Sequence, residues 1–138
     1  MYHFSESIAF GGISERKELT DPKDWTIINL SESEIDNQDN VKHIPLKDGS
    51  RHGGNKQQEF ANAVNTVRNA IQNNENVFVH CAIGQSRSVS VLSTAIAAEN
   101  NQQYDTIQAE LMTIRNSFTE PAMSLQKKAN VYLRHDTH

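Results

Sequence analysis

The fold is decided by the stretch Val77-Phe78-Val79-His80-Cys81-Ala82-Ile83-Gly84-Gln85-Ser86-Arg87-Ser88. Its first four residues predict a short buried strand. The following run, Ser88–Ala98, is apolar on more than one side, so it predicts a largely buried helix, and Asn100-Asn101 end that helix. A short loop with one glycine therefore joins a buried strand to a buried helix.

Outside this stretch, the pattern of apolar residues predicts a sheet covered by helices. Further strands are predicted at Ser7–Phe10, Trp25–Leu30 and Val41–Leu46. A helix over Asn55–Gln72 is predicted from one apolar face, which consists of Phe60, Val64, Val67 and Ile71. Two later helices are predicted from similar spacing, one with Ile107, Leu111, Ile114 and Phe118, and one that starts near Pro121 with Leu125, Ala129, Tyr132 and Leu133. The fold class is therefore α/β, with a central, mostly parallel sheet of four to five strands flanked by helices.

Length and composition limit the kind of protein. The 138 residues suit one domain, 1–138, and the net charge of −4 argues against a surface built for nucleic acid or anionic lipid. The single cysteine, Cys81, excludes an intramolecular disulfide and argues against a structural zinc site. No signal peptide or apolar segment of membrane-spanning length is present. We expect a cytoplasmic protein, a monomer by default, that requires no cofactor or metal and binds neither nucleic acid nor membrane.

The loop after the buried strand has the features of an anion site. In open α/β sheets, ligands bind where strands end and helices begin. Backbone N–H groups of such a loop, together with a helix N-terminus, bind phosphate, and Gly84 permits the tight turn. Arg87 at the helix start is placed to hold two phosphate oxygens. The same positive field lowers the pKa of Cys81, which predicts a thiolate nucleophile.

A second group is needed to protonate the leaving oxygen and later to activate water. The best candidate is Asp48, which we expect at the end of a strand that adjoins the strand of Cys81, on the same edge of the sheet. Glycines at Gly49, Gly53 and Gly54 would let the loop close over a substrate. A positive rim is predicted from Lys47, Arg51, His52 and Lys56.

These residues resemble the signature of the cysteine-dependent protein phosphatases, which is His-Cys, five residues, Arg, then Ser or Thr. The chain is most similar to the small dual-specificity phosphatases, because Gly84, the ending Ser86-Arg87-Ser88 and an aspartate upstream of Cys81 match that pattern. Looser similarity extends over Ser7–Gly12, Thr26–Leu30, Ile44–Asp48 and Tyr104–Phe118. Two positions depart from the pattern, Ile83 and the pair Pro121-Ala122, and both bear on substrate fit.

The resemblance implies a role for each signature residue. Cys81 forms a phosphocysteine intermediate, Arg87 binds phosphate, Asp48 serves as acid and then base, and Ser88 donates a hydrogen bond to the sulfur. His80 acts behind the site by fixing the loop and tuning the thiolate. The loop residues that bind the substrate phosphate are Ala82, Ile83, Gly84, Gln85, Ser86 and Arg87. The implied activity is hydrolysis of phosphotyrosine and phosphoserine or phosphothreonine in a protein or peptide.

Several alternatives remain open at this stage. Cys81 is a core residue in the simplest reading of a lone cysteine, and Asp48 is a turn residue in the simplest reading of Asp-Gly. The acid would then be Asp36, Asp39 or Glu59. Lys47 and Arg51 are equally compatible with plain solvent exposure.

Other functions are compatible with parts of the pattern. A rhodanese-like sulfurtransferase also carries a loop cysteine after a strand, and a phosphoprotein-binding pseudo-phosphatase would share the fold. The same phosphatase chemistry would also serve a non-protein substrate, such as an RNA 5′-phosphate, a phosphoinositide or a small phosphate ester.

Overall fold

A computed structural model describes residues 1–33, 40–48 and 54–136 of the chain. Five strands form one sheet: β1 (Tyr2–His3), β2 (Ile8–Gly11), β3 (Thr26–Asn29), β4 (Val41–His43) and β5 (Val77–His80). The helices are α1 (Ile13–Lys17), α2 (Gln57–Gln72), α3 (Arg87–Asn100), α4 (Tyr104–Arg115) and α5 (Met123–His135), with a short 3-10 turn at Pro22–Asp24.

The strand order is β1-β2-β5-β3-β4, so the strand that leads to Cys81 is central. The pairs β2–β5, β5–β3 and β3–β4 are parallel, and only β1–β2 is antiparallel. The register aligns Asn29 with both His80 and His43, which places the carboxyl ends of three strands at one edge. The predicted α/β fold with a mostly parallel sheet is confirmed.

The sheet has a large core on one face and a small one on the other. Val77 and Val79 belong to the large core, beneath helices α2, α3 and α5, whereas Phe78 packs with Ala9 and Ile27 on the opposite face. Helix α3 contacts α2, α4 and α5, which explains why its apolar residues are not confined to one side. This burial fixes the end of β5 and the start of α3, and therefore the loop between them.

Asparagines in the left-handed backbone region end three of the helices. Asn74, Asn101 and Asn116 have φ of 58°, 54° and 58° and follow α2, α3 and α4. Asparagine tolerates this conformation better than most residues do. The turn at Asn116 ends α4 before Phe118, which is 95% exposed, so our prediction that Phe118 continues the buried face of that helix is wrong.

Two further sequence predictions need correction in detail. The strand predicted over Val41–Leu46 ends at His43, because Pro45 has no N–H to donate to the sheet. The extended chain beyond it is held by hydrogen bonds from the amides of Ile44 and Leu46 to the carbonyls of Asn29 and Leu30. The short elements β1 and α1 were not predicted, since neither is long enough to show a period.

Candidate active site

The loop formed by residues 81–86, which we call the signature loop, packs its backbone against the turn between β2 and α1. Gly84 has φ of +81°, and a Cβ atom there would lie 2.5 Å from the carbonyl carbon of Gly11 and 2.7 Å from the nitrogen of Gly12. The amide of Ile13 donates to the carbonyl of Ala82 over 3.0 Å. Glycine is therefore required at position 84 both for its conformation and for space.

The sulfur of Cys81 lies inside this loop, and the residue Cys81 is 2% exposed. The amide of Gly84 donates to Sγ over 3.2 Å, and the hydroxyl oxygen of Ser88 lies 3.4 Å from Sγ. Burial raises the pKa of the Cys81 thiol, but hydrogen bonds from the hydroxyl and amide of Ser88, the amide of Gly84 and the charge of Arg87 together lower it below its ordinary value. The site therefore favours the thiolate more than a free cysteine in water does.

Arg87 begins α3 and is 8% exposed. Its Nη1 donates to the carbonyl of Leu46 over 2.9 Å, which connects the signature loop to the segment that carries Asp48. The buried Nε has no hydrogen-bond partner among the residues that the structure describes. A buried N–H donor of a cation without an acceptor, on a residue that lines the same pocket as Cys81, suits an anionic ligand.

Asp48 lines the same pocket as Cys81 and Arg87, and this pocket has a volume of about 320 Å³. The prediction that its strand adjoins that of Cys81 is wrong, because β3 separates β4 from β5. Asp48 reaches the pocket through the extended chain beyond β4. The buried side chain of Asn55 holds this chain in place, since it accepts from the amide of Lys47 over 2.7 Å and donates to the carbonyl of Lys47 over 2.9 Å.

The connection between α4 and α5 also lines the pocket, through Thr119, Glu120 and Ala122. The amide of Ala122 donates to the hydroxyl of Ser86 over 2.9 Å and so ties this connection to the signature loop. Ala122 belongs to the pair Pro121-Ala122 that the sequence connects with substrate fit, whereas Thr119 and Glu120 were not predicted, because nothing in their local pattern indicates that the chain returns to the sheet edge.

His80 lies behind the pocket and is fully buried. Its Nε2 is 3.1 Å from the guanidinium of Arg16, and its ring stacks on Phe78. Arg16 was missed by the sequence analysis, since a single arginine in a short helix carries no signal of burial.

The other predicted loop residues occupy different positions. Ile83, Gln85 and Ser86 line the pocket, whereas Ala82 and Gly84 contribute backbone groups, as described above. Ile83 is 65% exposed.

Of the alternative acids Glu59, Asp36 and Asp39, the structure describes only Glu59. Glu59 accepts from the amide of Lys56 over 2.7 Å at the start of α2 and does not line the pocket. The candidates Asp36 and Asp39, and the predicted loop residues Gly49, Arg51, His52 and Gly53, lie outside the described residues. Lys47 and Lys56 are exposed and do not line the pocket.

The described residues, 1–33, 40–48 and 54–136, contain neither a candidate metal site nor a membrane-spanning helix. No group of three or more His, Cys, Asp or Glu side chains is arranged to hold a metal ion. No helix has the length and apolar character needed to cross a membrane.

Comparison with known proteins gives a family and a fold. A family model described as "Dual specificity phosphatase, catalytic domain" matches residues 17–132. No curated protein matches the chain significantly in sequence. Among solved structures, DUSP15 is similar with a TM-score of 0.78 and 17% identity, covering 96% of this chain and 86% of its own. The Cydia pomonella PTP-2 phosphatase is similar with a TM-score of 0.73 and 18% identity, and the match covers 94% of this chain and 88% of that chain. Human DUSP28 is similar with a TM-score of 0.74 and 14% identity, and the match covers 97% of this chain and 96% of that chain. At these identities the structures show a shared fold.

Proposed function

The chain belongs to the family of dual specificity phosphatase catalytic domains, and on this premise we propose that it hydrolyses phosphate monoesters of proteins through a phosphocysteine intermediate on Cys81. One observation carries the proposal. The sulfur of Cys81 lies between the amide of Gly84 and the hydroxyl of Ser88, in a pocket also lined by Arg87 and Asp48.

The first step is attack of the Cys81 thiolate on phosphorus. A P–S bond forms, the P–O bond to the leaving group breaks, and Asp48 gives its proton to the departing oxygen. Arg87 binds the phosphate through Nε and its free N–H groups, and the loop amides supply further donors for the charge that develops on the phosphoryl oxygens. Ser88 stabilises the sulfur in its anionic form.

The second step releases phosphate. The Asp48 carboxylate takes a proton from water, the water oxygen attacks phosphorus, and the P–S bond breaks to return the thiolate. Inorganic phosphate leaves, and Asp48 is again protonated for the next cycle. The proposed setting is a reducing compartment such as the cytoplasm, in which a free thiol persists.

The proposed substrates are phosphotyrosine and phosphoserine or phosphothreonine. The described walls of the pocket consist of two short segments, around Asp48 and around Glu120. Short walls admit both short and long phosphorylated side chains. Among the described residues that line the pocket, Arg87 is the only cation, whereas Asp48 and Glu120 are acidic. This balance of charge favours a single phosphate group over a polyanion such as RNA or a phosphoinositide.

The chemistry is tested with p-nitrophenyl phosphate in the presence of EDTA. We expect hydrolysis that survives chelation and is inhibited by vanadate, and we expect Cys81→Ser to abolish turnover while it retains substrate binding. Turnover by Cys81→Ser, or loss of wild-type activity on chelation, would refute the proposed nucleophile or the metal-free mechanism.

The role of Asp48 is tested separately by its dependence on the leaving group. We expect Asp48→Asn to slow hydrolysis of a phosphoserine peptide much more than that of p-nitrophenyl phosphate, because p-nitrophenolate leaves without a proton. Asp21→Asn, at an exposed position away from the pocket, is the matched control. If Asp48→Asn reduces the rate equally on both substrates, another residue protonates the leaving oxygen.

A further inference from the structure

A second groove lies beside the pocket and shares Glu120 with it. We call it the α4–α5 groove. It has a volume of about 590 Å³, and residues that characterise it are Asp105, Gln108, Met112, Phe118, Glu120 and Met123. The segment 119–122 thus separates two concave surfaces, one around Cys81 and the other along α4. A substrate that fills the pocket and extends past Glu120 enters the groove.

The groove is acidic. Asp105 and Glu120 line it, and no Lys, Arg or His occurs among its lining residues that the structure describes. Burial raises the pKa of the neighbouring Tyr104 to about 12, and the charges of Asp105 and Glu120 add to that increase. The two carboxylates that line the groove attract cations.

The groove also carries exposed apolar side chains. Phe118 is 95% exposed and Met123 is 61% exposed, and the third large apolar residue that is strongly exposed, Ile83, lines the adjoining pocket. The described residues thus expose their large apolar side chains around the pocket and groove. Exposed aromatic and Met side chains clustered at a concave site are typical of surfaces that bind a partner.

A polar residue in the groove lacks a partner. Gln108 lines the groove and is 5% exposed, and its Oε1 has no hydrogen-bond partner among the described residues. Rotation of the Gln108 amide toward the groove would let Oε1 accept a hydrogen bond from a ligand that brings N–H donors, and so remove the cost of an unpaired buried acceptor. Peptide amides and basic side chains bring such donors, whereas phosphate-rich ligands do not.

We propose that the α4–α5 groove binds the polypeptide that flanks the phosphorylated residue of a protein substrate, and that it selects a flank with basic and apolar side chains. The inference rests on the proposed function and narrows its substrate class. Asp105 and Glu120 receive the basic residues, and Phe118 and Met123 pack against the apolar one. Opposite charges also speed the encounter with such a substrate.

The test compares phosphopeptides that differ only in their flanks. One series carries a single arginine moved one position at a time on either side of phosphotyrosine, a second carries glutamate at the same positions, and p-nitrophenyl phosphate reports the chemistry alone. We expect kcat/KM for the best arginine peptide to exceed that for its glutamate counterpart by about threefold to tenfold at low salt, and the ratio to fall as salt is added.

Variants assign the preference to the groove. We expect Asp105→Asn and Glu120→Gln each to reduce the arginine-to-glutamate ratio by about twofold to fivefold. Glu110→Gln removes an exposed acid of the same helix that does not line the groove, and it should leave the ratio unchanged. Phe118→Ser should lower the ratio of kcat/KM between an arginine peptide with leucine in its flank and the same peptide with serine in place of that leucine. Because each variant is scored by a ratio of two peptides, any general effect on the chemistry cancels.

The outcomes separate the inference from the proposed function. If the protein hydrolyses p-nitrophenyl phosphate but shows no preference for arginine peptides, the proposed role of the groove is wrong, and the proposed phosphatase function is retained. Faster turnover of a 5′-phosphorylated RNA or an inositol phosphate than of the arginine peptides also overturns the proposed role of the groove. If no substrate is hydrolysed, the proposed function is wrong. Fluorescence polarisation of labelled peptides then tests the groove, which should bind the arginine peptides more tightly than the glutamate peptides; equal affinities would refute it.

Discussion

The guanidinium of Arg16 donates a hydrogen bond to Nε2 of His80 over 3.1 Å, and both residues are buried. A guanidinium has no acceptor, so Nε2 is the ring nitrogen without a proton. The proton is then on Nδ1, which lies 3.3 Å from the carbonyl oxygen of Cys81. The pair thus connects α1 to the residue that begins the signature loop and holds His80 as the neutral Nδ1–H tautomer.

The first prediction concerns this pair. We expect Arg16→Met to lower the free energy of unfolding by about 1–3 kcal/mol, because a buried acceptor on His80 loses its donor. Urea unfolding measures the change, and Lys17→Met, at an exposed neighbouring position, is the control. Nitrogen NMR shifts of the wild-type imidazole should report the Nδ1–H form, and an Nε2–H form would contradict the assignment.

The second prediction concerns the hydroxyl near the sulfur. Ser88→Ala removes a hydrogen bond that favours the thiolate, so the pKa of Cys81 rises and its deprotonated fraction at a given pH falls. We expect alkylation by iodoacetamide to slow about threefold to tenfold at neutral pH, with its pH profile displaced to higher pH.

Ser93→Ala is the matched control for this change. Ser93 is buried on the same helix, and its hydroxyl has no partner among the described residues. Its removal should leave the pH profile of Cys81 in place and keep or raise stability. Equal profiles for the Ser88 and Ser93 variants would show that the hydroxyl of Ser88 does not tune the thiol.

The third prediction concerns the glycine of the signature loop. We expect Gly84→Ala to lower the free energy of unfolding by about 2–5 kcal/mol and to abolish most of the turnover of p-nitrophenyl phosphate. The added Cβ would meet backbone atoms of Gly11 and Gly12, which cannot move without displacing β2. Ala82→Ser changes an exposed residue of the same loop and should be tolerated. A stable, active Gly84→Ala protein would contradict the close packing of the two backbones.

The fourth prediction concerns a charged cluster that is remote from the pocket. Arg68 on α2 donates to Glu99 on α3 over 2.6 Å, to Asp136 after α5 over 2.9 Å and to the hydroxyl of Tyr132 over 3.0 Å. Burial lowers the pKa of Arg68, but these partners raise it by more. We expect Arg68→Met to cost about 1–3 kcal/mol of unfolding free energy, because half-buried carboxylates lose their cation.

Two measurements separate this effect from catalysis. The kcat for p-nitrophenyl phosphate should be unchanged in Arg68→Met, and Arg134→Met, on an exposed position of α5, should leave stability nearly unchanged. Equal stability of the Arg68 and Arg134 variants would show that the cluster does not fasten α5 to the body of the protein.

Local sequence was sufficient wherever the deciding residues are close together in the chain. His80 ends a buried strand, Cys81 follows it, and Arg87 and Ser88 begin the next buried helix. The geometry of the one loop that joins these elements therefore fixes their arrangement. The apolar spacing of α2 predicted its buried face for the same reason, because a helix brings together residues three and four apart.

Tertiary structure decided what depends on distant segments. The position of β3 between β4 and β5 has no local signal, because strand order is set by how crossover helices pack on the sheet. The end of α4 at Asn116 turned the following residues toward the pocket and groove, and it left Phe118 in solvent instead of in the core.

The sequence by itself therefore determined the α/β class, the loop around Cys81 and the family resemblance. Only the tertiary structure decided how Asp48 reaches the pocket, that Arg16 pairs with His80 and that Glu120 joins the pocket to an acidic groove. The physical reason is that backbone geometry fixes neighbours within a turn or a loop, whereas contacts between distant residues depend on the burial and packing of the whole chain.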